Sequence, residues 1–381
     1  MANPIGSCTP SGTVNCQNKR SCLDVCIQSL KSEDEDVLYQ AIRSLEMLAQ
    51  ANGPGQGLPT SQAIKMVNPL IGLLKHDSAS IRAGSLEALS GLSNRRDLPA
   101  SVKDEIADSA LLLLGDKSES VRSQVALVLM DFVFIQTANC PPERKMQVIN
   151  ILIKALGGKD QDTKRGASCA ISANAGERTP ISIKKKLVPC LVTALSDELS
   201  EVRYDAVRAL IAMKAAGMLL QEHKEMVPAL TKMMDDNVRE VYQYNAGFSF
   251  LRPVYEPAIL IGEIAKEARK TNNQQALTSI KDLALKEIEQ ALLKKRDYQG
   301  CEQGAIIQRV ALGYIKALVD IGDASAIETI NASDNFVYGI AFSKTVYSIE
   351  NDKKIAVEYL LRQSQSVKFI DPPYIDYGRG L

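Results

Sequence analysis

Along most of the chain, apolar residues recur three and four positions apart in blocks of helical length. Short runs of Asp, Ser, Asn and Gly separate the blocks. Residues 187–213, LVPCLVTALSDELSEVRYDAVRALIAM, show the pattern most clearly. The first block is apolar on most sides and carries Pro189 near its start. A polar run follows, Ser196-Asp197-Glu198-Leu199-Ser200. The second block places Val202, Ala206, Ala209, Leu210 and Met213 on one stripe, with Arg203 just inside its start. Spacing of this kind predicts amphipathic helices. The polar run predicts a turn whose side chains accept N–H bonds from the next helix. The unit is therefore a helix hairpin.

The hairpin recurs. Arg82, Arg122, Arg165, Arg203 and Arg239 each stand near the start of a second helix, in steps of 40, 43, 38 and 36 residues. Pro69, Pro189 and Pro228 mark a shared point in three first helices, where the missing backbone donor bends the helix. A period near forty residues is that of paired-helix solenoids. On the arginine and proline markers, residues 60–250 resemble the HEAT repeat family, with an armadillo-like architecture. The resemblance implies an all-α, right-handed α-solenoid of stacked antiparallel helix pairs, about eight in number. It also implies a polar ladder between repeats. Asp116, Arg122, Asp197 and Arg203 match that ladder in spacing, whereas Arg82 and Arg165 follow their aspartates, Asp77 and Asp160, one residue more closely.

Read in order, residues 1–20 form an N-terminal segment without regular structure. Residues 21–252 hold the HEAT-like repeats, the last well-formed unit spanning 221–252. Residues 253–364 hold longer helices and then capping repeats, with terminal capping helices over 335–364. Residues 365–381 form an extended tail, either docked or loose. The glycine-rich stretch 52–57 lacks a Gly-Lys-Ser/Thr ending and reads as a connection rather than a phosphate loop. Residues 110–114 and 125–129 are apolar nearly all round, which suits helices covered on both sides. The stretch around Ile321-Gly322-Asp323 resembles the HEAT-like repeats of bilin lyase subunits.

Composition narrows the function classes. The chain has 381 residues, 45 basic and 45 acidic side chains, and no Trp. Nucleic-acid binding calls for a basic face, and the balance of charge argues against one. No segment reaches the ~18 uninterrupted apolar residues of a membrane span; no membrane partner and a cytoplasmic location are expected. Cys8, Cys16, Cys22 and Cys26 crowd the N-terminus without the paired C-x2-C spacing of a zinc site. Buried thiols, a weak metal or redox site, and disulfides all remain open for them. His76 and His223 are the only histidines, and both are expected exposed in polar turns or helix starts. With no nucleophile–base pair in view, a non-enzyme without cofactor is expected.

What remains is binding. Stacked hairpins present an extended surface lined by second helices, suited to a protein or peptide. Tyr204, Asp205 and Arg208 are expected to point away from the buried stripe and, with Tyr242 and Tyr244, to lie on that surface. The aromatic concentration from Tyr242 to Tyr255 reads either as interface or as a joint where the repeat changes. The primary expectation is a protein-interaction scaffold. A lyase-like or chaperone-like protein acting on a cofactor-bearing partner is the alternative, and nucleic-acid binding a weaker one. Oligomeric state is not legible.

Overall fold

The fold is given by a computed structural model. It describes residues 19–50, 58–95, 97–133, 141–235, 241–243, 249–251, 255–293, 303–333, 337–339, 346–348, 350–366, 370–373 and 375. Among these lie 16 α-helices, a 3-10 turn and two short antiparallel hairpins. They fall into two compact units, Met1–Asn174 and Ala175–Leu381.

The first unit contains α1 (Lys19–Ser29), α2 (Glu35–Gln50), α3 (Thr60–Leu73), α4 (Ala79–Ser93), α5 (Ala100–Leu111), α6 (Glu119–Val133), α7 (Pro142–Leu156) and α8 (Gln161–Asn174). Consecutive helices pair, and the second members α2, α4, α6 and α8 pack side by side in sequence order. The first members α1, α3 and α5 form a thinner parallel row. This is α-solenoid packing. Ile42, Leu45, Leu86, Leu89, Val125, Leu129 and Ile171 are fully buried along the stack, each burial stabilising by about 1.5–3 kcal/mol. A single hairpin would leave half of such a face wet, so neighbouring repeats stabilise one another.

Proline sets the entry to each hairpin. Pro59, Pro99, Pro141 and Pro180 immediately precede four first helices, with φ between −54° and −58° and ψ between 141° and 145°. The ring holds φ while the carbonyl starts the helix. N–H groups three and four residues on donate to the carbonyls of Pro59, Pro99 and Pro180, and that of Lys145 to Pro141. These four prolines keep the same forty-residue beat as the arginine markers. Where hairpins stack most closely, Gly166 of α8 faces the carbonyl of Leu114; a Cβ there would lie 1.8 Å from that oxygen.

The second unit contains α9 (Ile181–Ala194), α10 (Ser200–Ala212), a 3-10 turn (Ala216–Met218), α11 (His223–Asp235), α12 (Glu256–Lys270), α13 (Gln274–Leu293), α14 (Gln303–Ile321), α15 (Ala326–Ala332) and α16 (Glu350–Gln365). They too pair in order, with α10, α12, α14 and α16 making one row and α11, α13 and α15 the other.

Two expectations are corrected here. The sequence suggested a second helix within 221–252. Instead β1 (Val241–Gln243) pairs with β2 (Ser249–Leu251), Tyr242 opposite Phe250, and the second helix is α12. Likewise 335–364 is not helical throughout. There β3 (Val337–Gly339) pairs with β4 (Val346–Ser348) before α16 begins. Both hairpins interrupt a helix pair between its members, and both are rich in the aromatic and β-branched residues that favour strands.

Beyond α16 the chain docks. Ile370 donates its N–H to Gln363 Oε1 at 3.0 Å, and its carbonyl accepts from Tyr359 Oη at 2.8 Å. Ile375 is buried.

Candidate binding surfaces

The hairpin turns share one construction. Arg82 Nη1 donates to the carbonyls of His76 and Asp77, both at 2.7 Å. Arg122 Nη1 donates to Asp116 and Lys117 at 2.6 and 3.1 Å, and Arg203 Nη1 to Asp197 and Glu198 at 2.9 and 3.0 Å. In each case the guanidinium satisfies carbonyls of the turn itself, beyond the end of the preceding helix. The residue six before the arginine closes the turn on itself: Asp116 accepts from the Ser118 N–H, Asp197 from Leu199, and His76 Nδ1 from Ser78.

Two of these arginines, Arg82 and Arg122, also reach across to the next repeat. Arg82 Nε and Nη2 each hold one oxygen of Asp116 at 2.8 Å. Arg122 lies 3.6 Å from Asp162, which Arg165 also contacts at 3.1 Å. Burial alone would raise the Asp116 carboxyl. Hydrogen bonds from Arg82 and the Ser118 N–H, with the charges of Arg82 and Arg122, outweigh it and hold the group below the usual carboxylate range. On the first-helix side, Arg144 ties α7 to Asp104 and Asp108 of α5 at 2.9 and 2.6 Å.

Two surfaces lie over this frame. The first is the outer face of the second-helix row in the first unit. Tyr39, Arg43 and Met47 follow one another four apart on α2, and Arg43 reaches Glu87 of α4 at 3.2 Å. Glu87 and Leu127 of α6 both stand five residues after their turn arginine. Tyr39, Met47 and Leu127 are 42%, 41% and 41% exposed. The second is a cleft of about 980 Å³ along the turn edge of three successive hairpins. Its floor includes Leu111, Leu112 and Ile151, and Leu112 is 83% exposed. Lys75, Lys117, Lys154 and Lys159, all exposed, stand around it.

The residues singled out from sequence fare differently. Arg208 is exposed, but Tyr204 and Asp205 are buried, so the expected outward orientation of these two is corrected. α10 is covered by α9 on one side and α12 on another, leaving only a narrow exposed stripe. The Tyr204 ring fills the interior, and its hydroxyl donates to the Met233 carbonyl at 3.1 Å, one of the carbonyls left open at the end of α11. Tyr242 belongs to β1, whereas Tyr244, Arg239, Cys8, Cys16 and the stretch 52–57 lie outside the described residues. Cys26 is buried on α1 and Cys22 half-buried. No group of three or more His, Cys, Asp or Glu side chains suited to a metal occurs among the described residues.

Other expectations change as well. His223 is buried, its Nδ1 donating to the Leu220 carbonyl at 2.7 Å. Lys184 donates to the carbonyls of Glu177 and Met213 at 3.0 and 2.6 Å. Sequence reasoning missed Tyr39, Met47, Leu112 and Leu127. Residues 110–114, expected to be covered on both sides, run off the end of α5 at Leu111 into the turn, where Leu114 is buried and Leu112 is left 83% exposed.

No helix among the described residues is long and apolar enough to cross a membrane. No family model matches the chain, and no curated protein matches it. Among solved structures, an engineered protein is 19% identical over 90% of this chain and 89% of its own, with a TM-score of 0.42. A second engineered protein is 20% identical over 68% and 96%, TM-score 0.34. An armadillo repeat protein computationally designed for modular peptide recognition is 24% identical over 56% and 93%, TM-score 0.34.

Proposed function

We propose that this protein is a non-catalytic scaffold whose stacked helix pairs dock another protein or a peptide. One observation carries the reading: Tyr39, Met47 and Leu127 stand exposed on a single row of second helices. Those positions do not serve the core, because the core-facing stripes of α2 and α6 are already filled by Ile42, Leu45, Val125 and Leu129. Large side chains on a rigid, regularly spaced surface are the material of binding hot spots. The ladder of turn arginines fixes the spacing between rows, so such a surface needs little ordering on binding.

Arg208, exposed on α10, extends the proposal to the second unit. The test is affinity capture with quantitative mass spectrometry. The wild-type chain is compared with a variant carrying Tyr39→Ser, Met47→Ser and Leu127→Ser, and with Arg208→Ala. Loss of specific partners from the triple variant, with its circular dichroism unchanged, supports the reading. An identical partner set in all three samples removes it.

A further inference from the structure

The cleft along the turn edge is a second, separate surface, and its chemistry is more specific than that of the helix row. We propose that it binds an extended acidic peptide segment of a partner protein, with an aliphatic side chain of the peptide seated against Leu112 and Ile151.

Three observations converge. First, the floor is apolar and open. Leu112 is 83% exposed and Ile151 40%, and both line the same depression of about 980 Å³. An aliphatic side chain laid there covers two exposed side chains at once. Second, the lining carries five basic side chains and three acidic ones, in a chain whose overall charge is zero. Two of those acids are already engaged. Asp116 is held by Arg82, and Asp160 accepts from the N–H and the hydroxyl of Thr163 at 2.9 and 2.7 Å. Arg82 and Asp116 cancel, and Asp160 keeps its charge, so four lysines face Asp77 and Asp160 with a surplus of two positive charges. Third, the length fits. Two helix-packing steps of 8–10 Å separate the outer turns by roughly 16–20 Å, the reach of about five or six extended residues.

The mixed charge of the lining favours a peptide over a membrane. Asp77 and Asp160 stand in the same lining as the lysines, and a uniformly anionic surface would meet those carboxylates, whereas a peptide can place its acidic residues at the lysines and uncharged ones at the aspartates. Arg82 is not part of the recognition charge, since its guanidinium is consumed by Asp116 and by two carbonyls.

The test is a fluorescence anisotropy titration of the full chain against fluorescein-labelled Glu-Asp-Glu-Ile-Leu-Asp-Glu-Asp. Saturable binding is expected, weakening about tenfold between roughly 50 and 300 mM salt as screening grows. Lys117→Glu combined with Lys154→Glu is expected to weaken it by about tenfold or more, because like charges now face each other. Leu112→Ser, at a position too exposed to disturb the fold, is expected to weaken it about fivefold, as does replacing Ile-Leu of the peptide by Ser-Ser. The idea is overturned if no saturable binding occurs, or if the lysine counterpart of the peptide binds equally well. It is equally overturned if the variants bind like wild type, or if phosphatidylserine vesicles bind while the peptide does not. The Tyr39, Met47 and Leu127 substitutions leave this titration unchanged, so its failure is distinct from failure of the helix-row reading.

Discussion

Arg82 and Asp116 meet across the boundary between two hairpins, both guanidinium nitrogens Nε and Nη2 at 2.8 Å from the two carboxylate oxygens. Their side chains are only 15% and 7% exposed. Arg82 also binds the carbonyls of its own turn, so one side chain locks a turn internally and fastens it to the next.

Asp116→Ala should therefore destabilise the first unit by about 2–4 kcal/mol, since removing one partner leaves a largely buried charge uncompensated. Urea denaturation checks the value. A double-mutant cycle with Arg82→Ala should give a coupling of about 1–3 kcal/mol. A coupling near zero would show that the pair is incidental.

Acid should reproduce that loss. The folded Asp116 carboxyl lies below its unfolded value, so its contribution is complete above roughly pH 4–5 and disappears as pH falls through the folded value. The urea midpoint of wild type, measured from neutral pH downward, should fall more steeply in acid than that of Asp116→Asn.

Two glycines make opposite predictions. Gly166→Ala places a methyl group against the Leu114 carbonyl, and backbone at both sites must move; a loss of about 2–3 kcal/mol or more is expected. Gly72 on α3 has nothing within 4 Å, so Gly72→Ala should stabilise by about 0.5–1 kcal/mol through helix propensity. Thermal denaturation of the two variants side by side decides the matter.

Tyr204→Phe removes the buried bond to the Met233 carbonyl and should cost about 1–2 kcal/mol. Arg208→Ala, on the same helix but exposed, should change stability by about half a kcal/mol or less. Equal effects at both positions would contradict the assignment of Tyr204 to the interior.

The docked tail hangs on Tyr359. Its hydroxyl accepts from Arg269 at 2.9 Å and donates to the Ile370 carbonyl at 2.8 Å. Tyr359→Phe should speed proteolytic cleavage within 370–375 severalfold, while the helices keep their protection against hydrogen exchange. Unchanged cleavage would show that Gln363 and Ile375 hold the segment without it.

The repeat and its turns were largely legible before the structure. A 3.6-residue stripe broken by Asp-Ser turns specifies a hairpin through local geometry alone, and Arg82, Arg122 and Arg203 each occupy the same place in it. The interruptions were not legible, because Val241 to Gln243 could continue an apolar helical stripe as easily as begin a strand. Nor was the burial of Tyr204. A polar hydroxyl on a large ring reads as a surface residue until a carbonyl, here that of Met233, is brought within reach.

By itself, then, the chain order dictated helix hairpins at a forty-residue beat, since periodicity, capping and proline act over one or two turns of backbone. Only the tertiary structure decided which aspartate each arginine takes and which leucines stay wet. Both depend on the offset between neighbouring hairpins. Arg82 and Asp116 are 34 positions apart, and nothing local sets that offset. It is settled by how whole faces pack, down to the Gly166 contact that lets α8 close on the turn before it.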